Sequence, residues 1–159
     1  MHRVLPIMAM LASGPALAGA PAPAHAADAS HPVFACSFKR GSVSVTVSGD
    51  QFTLRWKMPG KSDATVTGTA GAGTVLHWRD RYAGPEEQLR FVSGRQSYIV
   101  YSMAGNRQTE AQPVSGLSVL RDRTLQSDLY CTPHAEFTAA LSGFPLLEDS
   151  PDYAAMGLQ

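Results

Sequence analysis

Apolar and polar side chains alternate along this chain in short runs that are separated by turn-forming residues. The clearest run is 42–47, where every second residue is a valine, and residues 52–56 alternate again after a turn at 48–51. A period of two places the apolar side chains on one face of a strand. Two such runs joined by a short polar turn predict an antiparallel hairpin.

The same pattern continues to Cys131 and predicts eight or nine strands. Further runs lie at residues 33–38, 64–69, 74–78, 88–92, 97–102, 116–120 and 124–131. The Thr-rich run 64–69 is interpreted as an edge strand. Short strands with hairpin-length turns predict an all-β fold, an antiparallel meander forming either a small barrel or a two-layer sandwich.

Five aromatic residues of this region, Trp56, Trp78, Tyr82, Tyr98 and Tyr101, allow two interpretations. They are core residues and cross-strand pairs, which is the commoner use of aromatics in strands, or they line a ligand pocket. Tyr98 and Tyr101 lie three positions apart, so a regular strand directs them to opposite faces. We therefore expect one of the two to be exposed.

The pattern changes after Cys131. Residues 135–141 are rich in alanine and predict a short C-terminal helix that ends at Gly143. Residues 134–159 contain four acidic residues and no lysine or arginine. We therefore divide this part of the chain into a β domain, residues 33–133, and an appended C-terminal helix with an acidic tail, residues 134–159.

Residues 1–26 are typical of an export signal. Arg3 precedes a mostly apolar stretch, and residues 24–26 read Ala-His-Ala, the small-x-small pattern of a signal peptidase site; cleavage after Ala18 is the alternative. The apolar stretch is short and interrupted by proline and glycine, so no membrane span is expected. Residues 27–32 are interpreted as a disordered leader, and the protein as periplasmic or secreted in a bacterium.

Two cysteines, Cys36 and Cys131, lie 95 positions apart. In an exported chain such a pair predicts a structural disulfide, because the compartment is oxidising and no Cys-x-x-Cys redox motif is present. The bond would connect the first strand of the meander to the last.

The formal net charge of zero conceals an asymmetry. Residues 31–133 contain 12 basic and 8 acidic side chains, so this region is cationic while the tail is acidic. The pattern indicates either an ordinary solvated surface or a cationic face for a protein or an anionic envelope partner. The candidate partner-binding residues are Arg79, Arg81, Tyr82, Arg107, Arg121 and Arg123. The excess of charge is too small to predict nucleic-acid binding.

Motifs that carry catalytic chemistry are missing from the sequence. There is neither a Gly-x-Ser-x-Gly elbow nor a Walker-type phosphate loop, and His31, His77 and His134 are isolated from one another. The adjacent pair Glu86 and Glu87 is interpreted as solvated loop residues that point to opposite sides. We expect no catalytic residue, no metal ion and no cofactor.

Three segments, residues 82–91, 98–102 and 115–119, together with a strand that ends in Leu-Tyr-Cys131, resemble uncharacterised small exported proteins of proteobacteria. The layout is also loosely similar to the C-type lysozyme inhibitors of Gram-negative bacteria. That resemblance implies a small antiparallel β-barrel with a disulfide, which plugs a lysozyme cleft with a loop. This chain is longer, has no lipoprotein cysteine and extends beyond Cys131. No site residue is carried over, because the inhibitory loop has no residue-by-residue match.

These observations predict an exported, non-enzymatic β domain that binds a protein or envelope partner. An inhibitor-like role would use the polar loops 79–86 and 105–112 against the paired carboxyl groups of a lysozyme cleft. The alternative is a carrier that holds a small apolar ligand in a barrel interior, among Trp56, Trp78 and the tyrosines.

Overall fold

Two stacked β-sheets make up the fold. The computed structural model describes residues 29–80, 86–108 and 110–153. In this part of the chain the strands are β1 His31–Phe38, β2 Gly41–Ser48, β3 Gln51–Lys57, β4 Ala64–Thr69, β5 Val75–Asp80, β6 Glu86–Ser93, β7 Gln96–Met103, β8 Val114–Arg121, β9 Thr124–Tyr130 and β10 Leu147–Glu148. The first sheet has the order β1-β2-β3-β4, and the second has the order β10-β5-β6-β7-β8-β9.

The hydrophobic core lies between the two sheets. The alternation predicted for β2 and β3 is confirmed, since Val43, Val45 and Val47 are buried and Val45 lies opposite Leu54 across the hairpin. The second sheet contributes alternate side chains from β6, β7 and β8, among them the fully buried Phe91. Each such side chain stabilises the fold by about 1.5–3 kcal/mol through burial. The all-β prediction is therefore confirmed as a two-layer sandwich.

The barrel alternative is wrong, because the two sheets do not close on each other. Between β4 and β5 the chain turns from the first sheet into the second. A Cβ atom at Gly68 would lie 2.8 Å from the Thr74 carbonyl oxygen and 2.9 Å from the Val75 Cβ. Glycine therefore allows β4 and β5 to approach closely at this margin of the sandwich.

The predicted disulfide between Cys36 and Cys131 is confirmed. Its Cα atoms are 5.4 Å apart, and it connects β1 of the first sheet to the residue that follows β9 of the second. The Thr132 amide donates to the Ser37 carbonyl at 2.8 Å beside it. The sheets are thus joined covalently at both lateral margins, here and through the chain between β4 and β5.

The predicted helix at residues 135–141 is not formed there. In residues 131–153 the helical content consists of single 3-10 turns at Leu141–Gly143 and Pro151–Tyr153. Residues 135–141 instead run along β1, where the Thr138 amide donates to the Val33 carbonyl at 2.8 Å. The ring of Phe137 packs on that of Phe34 at 5.0 Å. So short a helix is marginal by itself, and these contacts outweigh its propensity.

Residues 147–153 of the acidic tail pack against the second sheet. The tail enters as β10, parallel to β5, with Leu147 opposite Leu76. It then crosses the face of that sheet that lies away from the core, which we call the outer face. Asp149 there bonds to Arg90 on β6, and the Tyr153 ring lies 3.8 Å from the Arg90 guanidinium.

Burial of the outer face overturns the expectation that Tyr98 or Tyr101 is exposed. Tyr98 is in the core between the sheets, and Tyr101 is fully buried on the outer face. The Tyr101 hydroxyl donates to the Asp128 carboxylate at 3.2 Å, and the Ser118 hydroxyl donates to the same oxygen at 2.8 Å. The central strands of this sheet are therefore buried on both faces.

At the N-terminal side, β1 begins at His31 rather than at Val33. The predicted signal, residues 1–26, lies outside the described residues. None of the helices in the described part of the chain is long and apolar enough to cross a membrane.

Candidate functional site

The arginines proposed for partner binding lie at two ends of the second sheet. Arg79 is on β5, and Arg107 lies in the connection between β7 and β8 at the same end. Arg121 and Arg123 lie at the turn of the β8–β9 hairpin, at the opposite end. Arg81 and Tyr82 fall outside the described residues. The described candidates therefore do not gather on one face.

The turn that carries Arg121 and Arg123 gains a third arginine from its neighbour. Arg95, in the turn between β6 and β7, accepts a 2.9 Å hydrogen bond at its carbonyl from the Asp122 amide, and its guanidinium pairs with the Asp122 carboxylate. Arg123 pairs with Asp152 of the tail at 2.6 Å. Within the described ranges no acidic side chain pairs with Arg121, which is exposed. We call Arg95, Arg121 and Arg123 the arginine turn.

Strand β9 is an edge of the second sheet, and it begins at the arginine turn. Its side chains Leu125 and Tyr130 are 39% and 49% exposed. Leu147, 47% exposed, lies on β10 at the opposite edge of the same sheet, and these three are the exposed large apolar side chains of the described residues. An edge strand offers unpaired backbone N–H and C=O groups to another chain.

A basic cleft of about 350 Å³ lies at the other end of β9. It is lined by Phe38, Lys39, Arg40, Asp128, Leu129, Tyr130 and Thr132. In the part of the chain that the structure describes, neither Lys39 nor Arg40 forms an ion pair. Tyr130 bonds to Asp128, and that contact raises the pKa of Tyr130. The edge strand therefore has cationic groups at both ends.

A second cleft, of about 200 Å³, opens at the end of the sheet where β6 begins, and we call it the acidic cleft. It is lined by Arg79, Glu86, Glu87, Ser102, Ala104, Glu136 and Phe137. Glu87 lies 3.1 Å from the Nε2 atom of His77. Strand alternation places the side chains of Arg79 and Glu87 on the core side of the sheet, whereas that of Glu86 lies on the outer face with Arg90.

The environment of Glu86 differs from the one predicted from the sequence. The interpretation of Glu86 as a solvated loop residue is wrong, because it opens β6 and is only 8% exposed. Its Oε1 atom is buried and has no hydrogen-bond partner among the described residues. Burial, reinforced by the nearby Asp80 carboxylate, raises the pKa of Glu86 to about 7. The one feature of the sequence that points to this burial is the position of Glu86 just before the alternating run of β6.

Four of the five aromatic residues named in the sequence prediction lie in the described ranges, and they pack mainly against other side chains of the protein. The rings of Trp56 and Tyr98 meet edge to face at 6.4 Å beside the core, and Trp78 is half-buried on β5. No group of three His, Cys, Asp or Glu side chains in the described ranges is placed to hold a metal ion.

Comparison with known proteins identifies no relative of this chain. No family model matches it, and neither a curated protein nor a solved structure does so. The resemblances drawn from the sequence therefore stay predictions, and function rests on the geometry of the described residues.

Proposed function

We propose that this chain is an exported, non-enzymatic β-sandwich that binds a protein partner by strand addition at β9. The observation that carries the proposal is an edge strand with two exposed large apolar side chains, Leu125 and Tyr130. In strand addition the partner's main chain pairs with the edge, and alternate side chains supply specificity. An exposed edge with apolar side chains is otherwise avoided, because it invites aggregation.

The charges at both ends of β9 suggest the chemistry of the partner. The arginine turn lies at one end, and Lys39 and Arg40 lie in the basic cleft at the other. An extended segment with acidic residues at its ends would complement both groups. Such complementarity increases the association rate and fixes the register of the added strand.

Export is the second part of the proposal. The signal-like residues 1–26 support it, and the disulfide between Cys36 and Cys131 fits a periplasmic or extracellular protein. Purification of the mature protein and sequencing of its N-terminus test this part. We expect Ala27 as the first residue; a full-length chain that keeps Met1 in the cytoplasm would contradict export.

Strand addition is tested with a photo-crosslinking amino acid at position 125, and with the same amino acid at position 147 as a matched control. Both positions carry exposed leucines on edge strands of one sheet. We expect a heterologous adduct from position 125 that Tyr130→Lys weakens about tenfold, because a lysine on the edge opposes pairing. Equal adducts from both positions would refute the proposal, as would an adduct with a second copy of this chain.

An inhibitor-like role is a second candidate function, and it does not use the β9 edge. It would use the loop 105–112, whose Arg107 is exposed, and the segment that follows Arg79. Incubation with a C-type lysozyme at micromolar concentration tests it directly. Inhibition that Arg107→Ala reduces would support this role, and unimpaired lysozyme activity would exclude it.

A further inference from the structure

We propose that the acidic tail competes with the protein partner for Arg123 of the arginine turn. The inference rests on the proposed function, because it concerns the acidic end of an added strand, and it names how the β9 site is regulated. Asp152 of the tail already holds Arg123 at 2.6 Å. A carboxylate of the partner therefore has to take this arginine from the tail.

The turn between β8 and β9 determines where Arg123 lies. Asp122 and Arg123 form a two-residue turn between the paired residues Arg121 and Thr124, and their φ angles are 48° and 69°. Positive φ at both central residues is the type I′ geometry that matches the twist of a hairpin. The backbone of Arg123 is thus defined, while its side chain is 59% exposed and can exchange one carboxylate for another.

The tail presents Asp152 from a fixed position, because it is anchored on both sides of this residue. Before it, the buried Asp149 accepts three hydrogen bonds from Arg90. After it, the centre of the Tyr153 ring lies 3.8 Å from the Arg90 guanidinium, and the Tyr153 carbonyl accepts from the Gln88 side-chain amide at 3.2 Å. A carboxylate that the same chain holds beside its partner acts at a high effective concentration.

The tail also lowers the charge that a partner meets at the arginine turn. Asp122, within the turn itself, pairs with Arg95. Asp152 pairs with Arg123, so Arg121 alone has no acidic partner within the described ranges. The turn would have a second uncompensated arginine without Asp152. Because complementary charge sets the association rate and the register of a partner, the tail weakens recognition of an acidic strand end.

The exposure of the pair determines how strong this restraint is. Both side chains are 59% exposed, and solvent and salt screen an ion pair of this kind. Removal of the Asp152 charge should therefore tighten partner binding by about threefold to fivefold, the upper range for an exposed pair. The buried pair of Arg90 and Asp149 takes no part in the exchange, so the tail stays on the sheet when Arg123 changes its partner.

The test uses a synthetic seven-residue peptide, equal in length to β9, in which valine alternates with threonine between an aspartate at each end. Its binding to the intact protein is followed by amide ¹H–¹⁵N shifts at neutral pH and low ionic strength. We expect shifts along β9 and at Asp152, because Arg123 leaves Asp152 when the peptide binds. The variant Asp152→Asn should bind the peptide about threefold to fivefold more tightly than the wild type.

Three controls separate competition for Arg123 from a general effect of charge. Asp63→Asn is the matched variant, because Asp63 is an exposed carboxylate in an exposed pair with Lys57 of the first sheet; it should bind as the wild type does. A peptide with asparagine in place of both aspartates should bind Asp152→Asn and the wild type equally. In Arg123→Gln the gain from Asp152→Asn should disappear, because both changes act on one contact.

Equal affinity of Asp152→Asn and the wild type for the acidic peptide would overturn the inference. It would also be overturned by an equal gain from Asp63→Asn, by a gain that persists in Arg123→Gln, or by the same gain for the asparagine peptide. A peptide that leaves the β9 amides unshifted in every variant would instead contradict strand addition itself, and this inference with it. The two failures are therefore distinguishable.

Discussion

At the scale of single residues, the second sheet buries ionisable side chains on its outer face, where a β-sandwich normally exposes them to solvent. Glu86 and Arg90 both lie on β6 and are 8% exposed. Arg90 has a carboxylate partner in Asp149, whereas the Oε1 atom of Glu86 has no hydrogen-bond partner in the described ranges. One of these two buried ionisable groups has a counter-ion and the other has none. We therefore expect Arg90 to contribute to stability through its partner, and Glu86 to make stability depend on pH.

Glu86 should make the protein less stable as the pH rises. Its pKa is about 7 in the folded state and about 4.5 when unfolded, so the folded state holds a proton that the unfolded state lacks between these values. The free energy of unfolding should fall by about 2–3 kcal/mol from pH 4.5 to pH 7 and then level off. Urea unfolding of the wild type and of Glu86→Gln, measured from pH 4.5 to pH 7, tests this pH dependence of the free energy of unfolding. A difference between the two proteins that stays constant with pH would contradict the assignment.

At the scale of elements, the tail that follows β10 is held by one buried ion pair and one exposed pair. Arg90 donates three hydrogen bonds to Asp149, from Nε at 2.8 Å to Oδ2 and 3.1 Å to Oδ1 and from Nη2 at 2.6 Å to Oδ1, and the Asp149 side chain is 1% exposed. Arg123 and Asp152 meet at 2.6 Å in solvent. Uncharged contacts also hold the tail: the Gln88 side-chain amide donates to the Tyr153 carbonyl at 3.2 Å, and the Asp149 amide donates to the His77 carbonyl at 2.8 Å.

Asp149→Ala should destabilise the protein by about 3–5 kcal/mol, because it leaves the Arg90 guanidinium buried without its counter-ion. The matched change Asp152→Ala removes an exposed pair and should cost no more than about 1 kcal/mol. Chemical denaturation of both variants measures the difference. Similar losses in the two would show that the tail does not depend on the buried pair.

At the scale of the whole molecule, the disulfide restrains a long loop. Cys36 and Cys131 are 95 positions apart, which corresponds to about 4–5 kcal/mol of stability in the chain-entropy account. Cys36→Ser with Cys131→Ser should therefore lower the free energy of unfolding by about 4 kcal/mol. Unfolding of the oxidised wild type with and without reductant gives an independent value. Unchanged stability in both comparisons would contradict this account.

The sequence predicted the first sheet better than the second for a physical reason. In β2 one face is buried and the other half-exposed, so the alternation of valine with serine and threonine reveals the fold. In β6 and β7 both faces are buried, and alternation no longer distinguishes inside from outside. The covering contact at Arg90 comes from Asp149, 59 positions away, and local patterns carry no information about it.

The candidate sites likewise divide into features that local sequence patterns predict and features that depend on distant contacts. The position of Arg121 and Arg123 at a hairpin turn was predictable from the residues around them, because a turn between two alternating runs is a local feature. Burial of Glu86 depends on the outer face of the sheet, where Asp80 and Tyr101 of the neighbouring strands lie beside it. This burial therefore became visible only in three dimensions.

The covalent connections at both margins of the sandwich restrict how it can move. The chain between β4 and β5 joins the sheets on one side, and the bond between Cys36 and Cys131 joins them on the other. Because the two sheets are connected at opposite margins, they cannot open by a hinge motion about one margin. We therefore expect the proposed binding to use the rims and outer surfaces of the sandwich, and reduction of the disulfide would remove one of the two connections.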